Sequence, residues 1–176
     1  IWIDLWELFF PRCCVVCGRR LQPSEEYLCL HCLGRLPLTG MHRHPDNPME
    51  KQLWGKFPLG RATSFLYYAK EGYTQKVVFA LKYYGVSRLG IFLGRRMAAE
   101  LMPSGFFQDI DYLVPVPLHE KKKRRRGYNQ SEMLAEGISS VTGIPVSDRL
   151  VIRGQYTETQ TRMKAHERWT NVSGAF

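Results

Sequence analysis

The chain has 176 residues, 44% of them hydrophobic, and a formal net charge of +9 from 25 basic and 16 acidic residues. That length suits one main domain with a small appendage, and that apolar content excludes a wholly disordered chain. Removing the six consecutive cations at residues 121–126 leaves 19 basic against 16 acidic residues, a net of +3; the excess is one local feature and points to a specific anionic partner rather than a diffusely basic surface.

In chain order, "IWIDLWELFFP" at residues 1–11 is apolar but short, and Asp4 and Glu7 interrupt it. No basic residue precedes it, so it is a poor signal peptide, and it lacks the basic polar face of a membrane-surface helix. It reads as a short docking helix ended by Pro11. No stretch of the sequence is long and apolar enough to span a membrane.

"CCVVCGRRLQPSEEYLCLHC" at residues 13–32 contains two C-x2-C turns, Cys14/Cys17 and Cys29/Cys32, separated by eleven residues. Zinc takes four soft ligands in a tetrahedron, and each such turn supplies two thiolates at a suitable separation. Four thiolates close the coordination, so a zinc ion here is structural and holds together a zinc-ribbon-like segment too small to be stable alone. Cys13 is a fifth cysteine that a slipped register would put in place of Cys14, although the paired spacing favours Cys14. His31 lies between two ligands and is expected to point away. The odd cysteine count and the missing secretion signal argue against disulfides and for a cytoplasmic location.

Residues 39–60 carry three prolines and three glycines and read as an irregular connector. The resulting division is 1–38, helix and cysteine segment; 39–60, connector; 61–176, main domain. From residue 61 strands and helices alternate, which predicts an α/β domain with a parallel sheet. "RATSFLYYA" at 61–69 reads as a strand. "TQKVVFALKYYG" reads as a helix with Val77, Val78, Leu81 and Tyr84 on one face, and "VSRLGIFLGRRMAAELM" as a helix with Leu89, Leu93, Met97 and Leu101 inward, capped by Ser87 and ended by Pro103 and Gly105. "DIDYLVPVPL" reads as a buried parallel strand. "NQSEMLAEGISSVTG" reads as a helix with Met133, Leu134, Ile138 and Val141 inward, and "IPVSDRLVIR" as the next strand. "TRMKAHERWTN" then reads as a polar helix and "VSGAF" as an extended piece.

The basic run lies between the predicted strand and the predicted helix. Ligands of open α/β sheets bind outside the carboxyl ends of strands, and a helix N-terminus binds phosphate. Arg126 and Gly127 let the backbone approach such a ligand, with Asn129 and Gln130 adding neutral hydrogen-bonding groups. Lys121 to Arg125 read as an exposed loop that steers anions.

The segments "FPRCCVVCGRRL", "LCLHCLGRLP", "LKYYG", "VPVPLHEKKKRRRGYNQSEMLA" and "TQTRMKAHERWTNVSGAF" together resemble the ComF family of bacterial competence proteins, in the same order along almost the whole chain. The resemblance implies a type I phosphoribosyltransferase-like domain behind an N-terminal zinc finger, with zinc on Cys14, Cys17, Cys29 and Cys32. It implies a pyrophosphate-side loop at residues 115–130, a substrate-side Lys82, and a further ligand segment with Thr159, Gln160, Arg168, Asn171 and Val172. The family continues with an apolar strand, two adjacent acids and a Thr-Thr-Gly turn that cradles the 5-phosphate of phosphoribosyl pyrophosphate. That pattern is absent up to Phe176 and is expected beyond it, so the fold is expected to be C-terminally incomplete. Two functions follow from the resemblance. One is an enzyme of the phosphoribosyltransferase or amidophosphoribosyltransferase type that binds phosphoribosyl pyrophosphate with Mg2+. The alternative is a non-catalytic module of natural transformation that binds single-stranded DNA or a competence helicase. For the latter, Tyr67, Tyr68, Tyr83, Tyr84 and Tyr128 are candidate base-stacking residues, although the paired tyrosines read better as packing residues.

Overall fold

The computed structural model describes residues 11–56 and 58–154. Within them the chain forms six α-helices, α1 (Leu30–Gly34), α2 (Pro48–Leu53), α3 (Tyr73–Tyr83), α4 (Arg88–Leu101), α5 (Glu120–Arg126) and α6 (Gln130–Thr142), with 3-10 turns at Met41–Arg43 and Met102–Ser104. The N-terminal docking helix and the elements expected after residue 154 lie outside the described residues.

The expected parallel sheet is not present among the described residues. Extended backbone pairs there only through isolated bridges: Cys13 with Arg20 and Leu38 with Leu66, both antiparallel, and Leu113 with Val146, parallel. A parallel strand is stable when ladders flank it and helices cover both its faces. Residues 110–117 have one such contact, in which Leu113 donates to the Pro145 carbonyl and accepts from the Ser147 amide. The alternate positions Tyr112, Val114 and Val116 are exposed. The apolar run therefore reads as a buried strand while its structural setting is a lone extended segment. "RATSFLYYA" behaves the same way, held to residues 37–39 by Tyr67 N–H to Pro37 O and Thr39 N–H to Phe65 O.

The helices follow their apolar spacing. In α3, Val77, Ala80 and Leu81 are buried at three- and four-residue intervals. In α4, Leu89, Leu93 and Leu101 are buried, and the 3-10 turn with Pro103 and Gly105 (φ 67°) ends the helix as expected. Ser87 makes no side-chain cap because its own backbone is already helical. Along α6 the residues most buried are Ala135 and Gly137, while Val141 is exposed.

Small residues explain that pattern. An ideal Cβ on Gly94 of α4 would lie 2.9 Å from the Gly137 Cα of α6, and would press still harder on the Leu134 carbonyl oxygen. The two backbones are in contact, so no side chain fits between them.

The connector is more ordered than its composition suggests. Asn47 accepts from the Met49 and Glu50 amides while Glu50 reaches back to the Asn47 amide, and Pro48 occupies the first turn of α2. This reciprocal cap is a strong helix start. Both side chains are buried and also bind residue 62, Asn47 Nδ2 to its carbonyl at 2.8 Å and its amide to Glu50 Oε1 at 3.2 Å.

His42 locks the same connector to α4. It is buried, with Nε2 3.8 Å from Glu100 Oε1, while Arg61 donates to its carbonyl at 2.6 Å. Burial lowers the His42 pKa, with Glu100 opposing and Arg43 and Arg61 adding. The folded chain thus favours neutral imidazole, and the unfolded chain binds more protons once the pH drops below the ordinary value of 6.5. Stability is full above that value and declines as pH falls toward the lower folded pKa. Urea midpoints are expected to fall over this window in the wild type and less steeply in His42→Gln; parallel profiles would remove His42 as the cause.

The cysteine segment shares its core with the helices. Cys14, Val16, Leu21, Leu28, Cys29 and Cys32 form one buried cluster with Val77, Ala80, Leu81, Leu89 and Leu93. Tyr27 meets Phe92 edge to face with centroids 5.7 Å apart, and Lys76 Nζ donates to the Val16 carbonyl at 3.2 Å. Among the described residues, no helix is long and apolar enough to cross a membrane.

Candidate metal centre and anion site

The first C-x2-C turn is closed by Gly18 N–H to the Cys14 carbonyl at 2.9 Å, with Gly18 at φ 73°, a conformation that favours glycine. The second opens α1, where Cys29 Sγ accepts from the Cys32 amide. Glu25 brings the two turns together. Its buried carboxylate accepts from the Gln22 and Leu30 amides, both at 2.7 Å, and meets Arg19. Those two amides, ahead of Arg19, hold its pKa below the usual carboxylate value.

The ligand atoms of Cys14, Cys17, Cys29 and Cys32 all lie within 4.8 Å of one another, three of the residues buried and Cys17 exposed. Cys13 is exposed, with Sγ 3.4 Å from the Pro11 carbonyl, and His31 is exposed; neither belongs to the cluster. The thiols resist sharing this space without a cation. Burial, followed by the other three thiols, pushes Cys32 up. Burial also opposes the Cys14 thiolate, but backbone groups of Cys29, Cys17 and Val16 and the Cys17 side chain bring it down to about 7. Four converging sulfurs, one already inclined to lose its proton, suit a structural metal such as zinc, which favours thiolates over thiols. The set is closed, so the metal would supply folding energy.

The second site forms where α5, α6 and the end of α3 meet. The basic run, read from sequence as a loop, is helix α5. Lys and Arg are good helix formers, Glu120 occupies the first turn, and the cations fill the last turn where the helix dipole is negative. His119 caps it by accepting from the Lys121 amide, and Gly127 ends it at φ 85°. Gly127 is needed for that turn; the space around it is open. Lys123 bridges to Glu132 at 3.0 Å, which ties α5 to α6 and raises the Lys123 pKa.

Arg126 donates to Gln130 Oε1 at 2.6 Å, and its guanidinium carbon lies 6.0 Å from the centroid of Tyr83. Lys82, next to Tyr83 in α3, is exposed, and its pKa is lowered by partial desolvation and then by the charge of Arg126. Neither cation is salt-bridged among the described residues. Gln130 Nε2 is buried without a hydrogen-bond partner. The structure therefore brings together Lys82, Arg126 and Gln130, with two neighbouring positive charges and a spare donor.

Asn129 has a different role from the expected ligand contact. It is buried, caps α6 through the Ser131 amide, and donates to the Val116 carbonyl at 3.0 Å. It anchors the turn. The turn does not stand at the end of a parallel sheet, because no sheet is present among the described residues. Thr159, Gln160, Arg168, Asn171 and Val172 lie outside the described residues.

Sequence reading offered Tyr128 as a base-stacking residue but missed its structural contact, a hydroxyl that donates to the Leu81 carbonyl at 2.6 Å. It also read the paired tyrosines as packing residues, yet Tyr67, Tyr68, Tyr83 and Tyr84 are all exposed. Their clustering beside lysines was the available signal.

Comparison with known proteins gives no matching family model and no matching solved structure. Among curated proteins, Competence protein F of Haemophilus influenzae is 38% identical over 64 residues, covering 36% of this chain and 28% of that protein. DNA utilization protein YhgH of Salmonella typhimurium is 29% identical over 166 residues, covering 93% of this chain and 69% of its own length. The chain is thus similar to Competence protein F over a segment and to the YhgH proteins over most of its length. YhgH of Escherichia coli K12 is 28% identical over the same coverage. The match to Competence protein F takes in 36% of this chain and only 28% of that protein, while the matches to YhgH span most of this chain.

Proposed function

We propose that this chain serves in DNA uptake or DNA utilisation and acts there as a phosphate-binding protein. The carrying observation is the pair Lys82 and Arg126, salt-bridged to no carboxylate among the described residues, with Gln130 Nε2 beside it and exposed tyrosines on the same helix end. The names of the ComF and YhgH relatives support the biological setting. The polymer that suits cations next to exposed aromatic rings is single-stranded DNA, whose phosphates pair with the cations and whose bases stack on Tyr83 and Tyr84.

The test is oligothymidine binding followed by fluorescence polarisation across a salt series. Each lost phosphate contact on a single strand reduces the log–log salt slope by about 0.7. The Lys82→Met, Arg126→Met double variant is expected to lose about 1.4 from the slope. An unchanged slope, or no binding by the wild type, overturns the polymer reading.

A second reading has its own support in the pairing of two cations, which suits a diphosphate. Phosphoribosyl pyrophosphate carries one, and Mg2+ would arrive on it, because Glu132 is already engaged by Lys123 and Asn129. Under this reading the ligand raises the melting temperature of the wild type at millimolar concentration and leaves that of the double variant unchanged.

A further inference from the structure

Lys82 and Arg126 repel each other, and no carboxylate among the described residues pairs with either. Something must hold them together before an anion arrives. The seam between their two segments contains a short neutral hydrogen bond, from the Tyr128 hydroxyl to the Leu81 carbonyl at 2.6 Å. Leu81 is within the last turn of α3, where carbonyls lack an intrahelical partner. The Tyr128 ring packs against the buried cluster that contains Leu81, and burial raises its pKa, so the hydroxyl keeps its proton and stays a donor.

The placement of this bond is economical. Leu81 directly precedes Lys82 and Tyr83, and Tyr128 stands midway between Arg126 and Gln130. One contact therefore sets the register of both halves of the site. Asn129 anchors the same turn from the other side, on Val116.

We infer that Tyr128 is the positioning residue of the anion site, holding the α5–α6 turn on the end of α3 so that Lys82 stays beside Arg126. This rests on the phosphate-binding reading above and names the group that organises the site. Tyr128 touches the cradle's backbone and needs no contact with the anion.

The experiment uses the full chain with inorganic pyrophosphate as probe. Tyr128→Phe keeps the ring and removes the hydroxyl. One net hydrogen bond corresponds to roughly a fivefold loss of affinity by calorimetry. In a Lys82→Met background the same change is expected to cost nothing further. The Lys82 Nζ titration, read by NMR on labelled lysine, is expected to move up in Tyr128→Phe as Arg126 recedes, which a general loss of stability would not produce. If the wild type binds and Tyr128→Phe binds equally well, or weakens the Lys82→Met chain as much as the wild type, the inference is overturned. If wild type and Lys82→Met are alike in failing to bind, the phosphate reading falls. In that case a raised Lys82 titration in Tyr128→Phe still supports the positioning role, and an unmoved one overturns it.

Discussion

Cys32→Ser is expected to abolish metal retention and to destabilise the whole described body, not only the cysteine segment. Cys32 is buried within the sulfur cluster and belongs to the same apolar core as Val77 and Leu89. A structural zinc contributes its binding free energy to folding. Losing it leaves buried thiols facing each other and withdraws the support of Val16 and Tyr27 from α3 and α4. The expected loss is on the order of 4 kcal/mol or more, a fall in melting temperature of about 8–16 °C for a chain of this size. Chelator treatment of the wild type should reproduce it. Cys13→Ser is the matched control, because its thiol is exposed and outside the cluster. Metal content by atomic absorption and melting by circular dichroism decide the matter. Retention of one metal per chain by Cys32→Ser, or its loss from Cys13→Ser, would show that the ligand set is misassigned.

Gly94→Leu should be the most damaging change away from the metal. Gly94 faces Gly137 where α4 and α6 touch, and any Cβ there collides with backbone, which cannot rotate away as a side chain can. Overpacking ordinarily costs about 1–3 kcal/mol, and a clash with two backbone segments belongs at or above the upper end. The helices must separate, which carries Asn129 and Gln130 away from α3. Loss of anion binding is therefore expected together with a melting temperature lower by roughly 6–12 °C. Gly34→Ala, where nothing lies within 4 Å and φ is ordinary, is expected to be within about 0.5 kcal/mol of wild type. Thermal melts of both variants provide the comparison, and a Gly94→Leu chain as stable as wild type would mean that α4 and α6 are not in backbone contact.

What the sequence made legible differs by type of feature. The cysteine turns were readable because metal ligation imposes a fixed local spacing. Helices α3, α4 and α6 were readable because their apolar residues recur with helical period and glycines mark their ends. The sheet was over-read. An apolar run such as residues 110–117 shows a tendency to extend, but pairing depends on partners elsewhere, and here one bridge forms. The basic run was under-read as a loop because it stood between a predicted strand and a predicted helix, although Lys and Arg are good helix formers. Helix α2 was hidden by proline and glycine counts, although Asn47, Pro48 and Glu50 spelled out its cap. For the anion site, Arg126 and Gln130 could be read from the turn. The contribution of α3 through Tyr83 and the Leu81 carbonyl could not, because it depends on a contact with Tyr128, 47 residues away.

The helical form of residues 120–126 also sets how densely charge is packed. An α-helix advances about 1.5 Å per residue, so consecutive cations carry one charge per about 1.5 Å of axis, while an extended chain would spread them at about 3.3 Å. Duplex DNA carries one negative charge per about 1.7 Å. Over its short length, α5 is thus nearly the inverse of a nucleic acid in linear charge density, a crowding that the Lys123–Glu132 ion pair partly relieves.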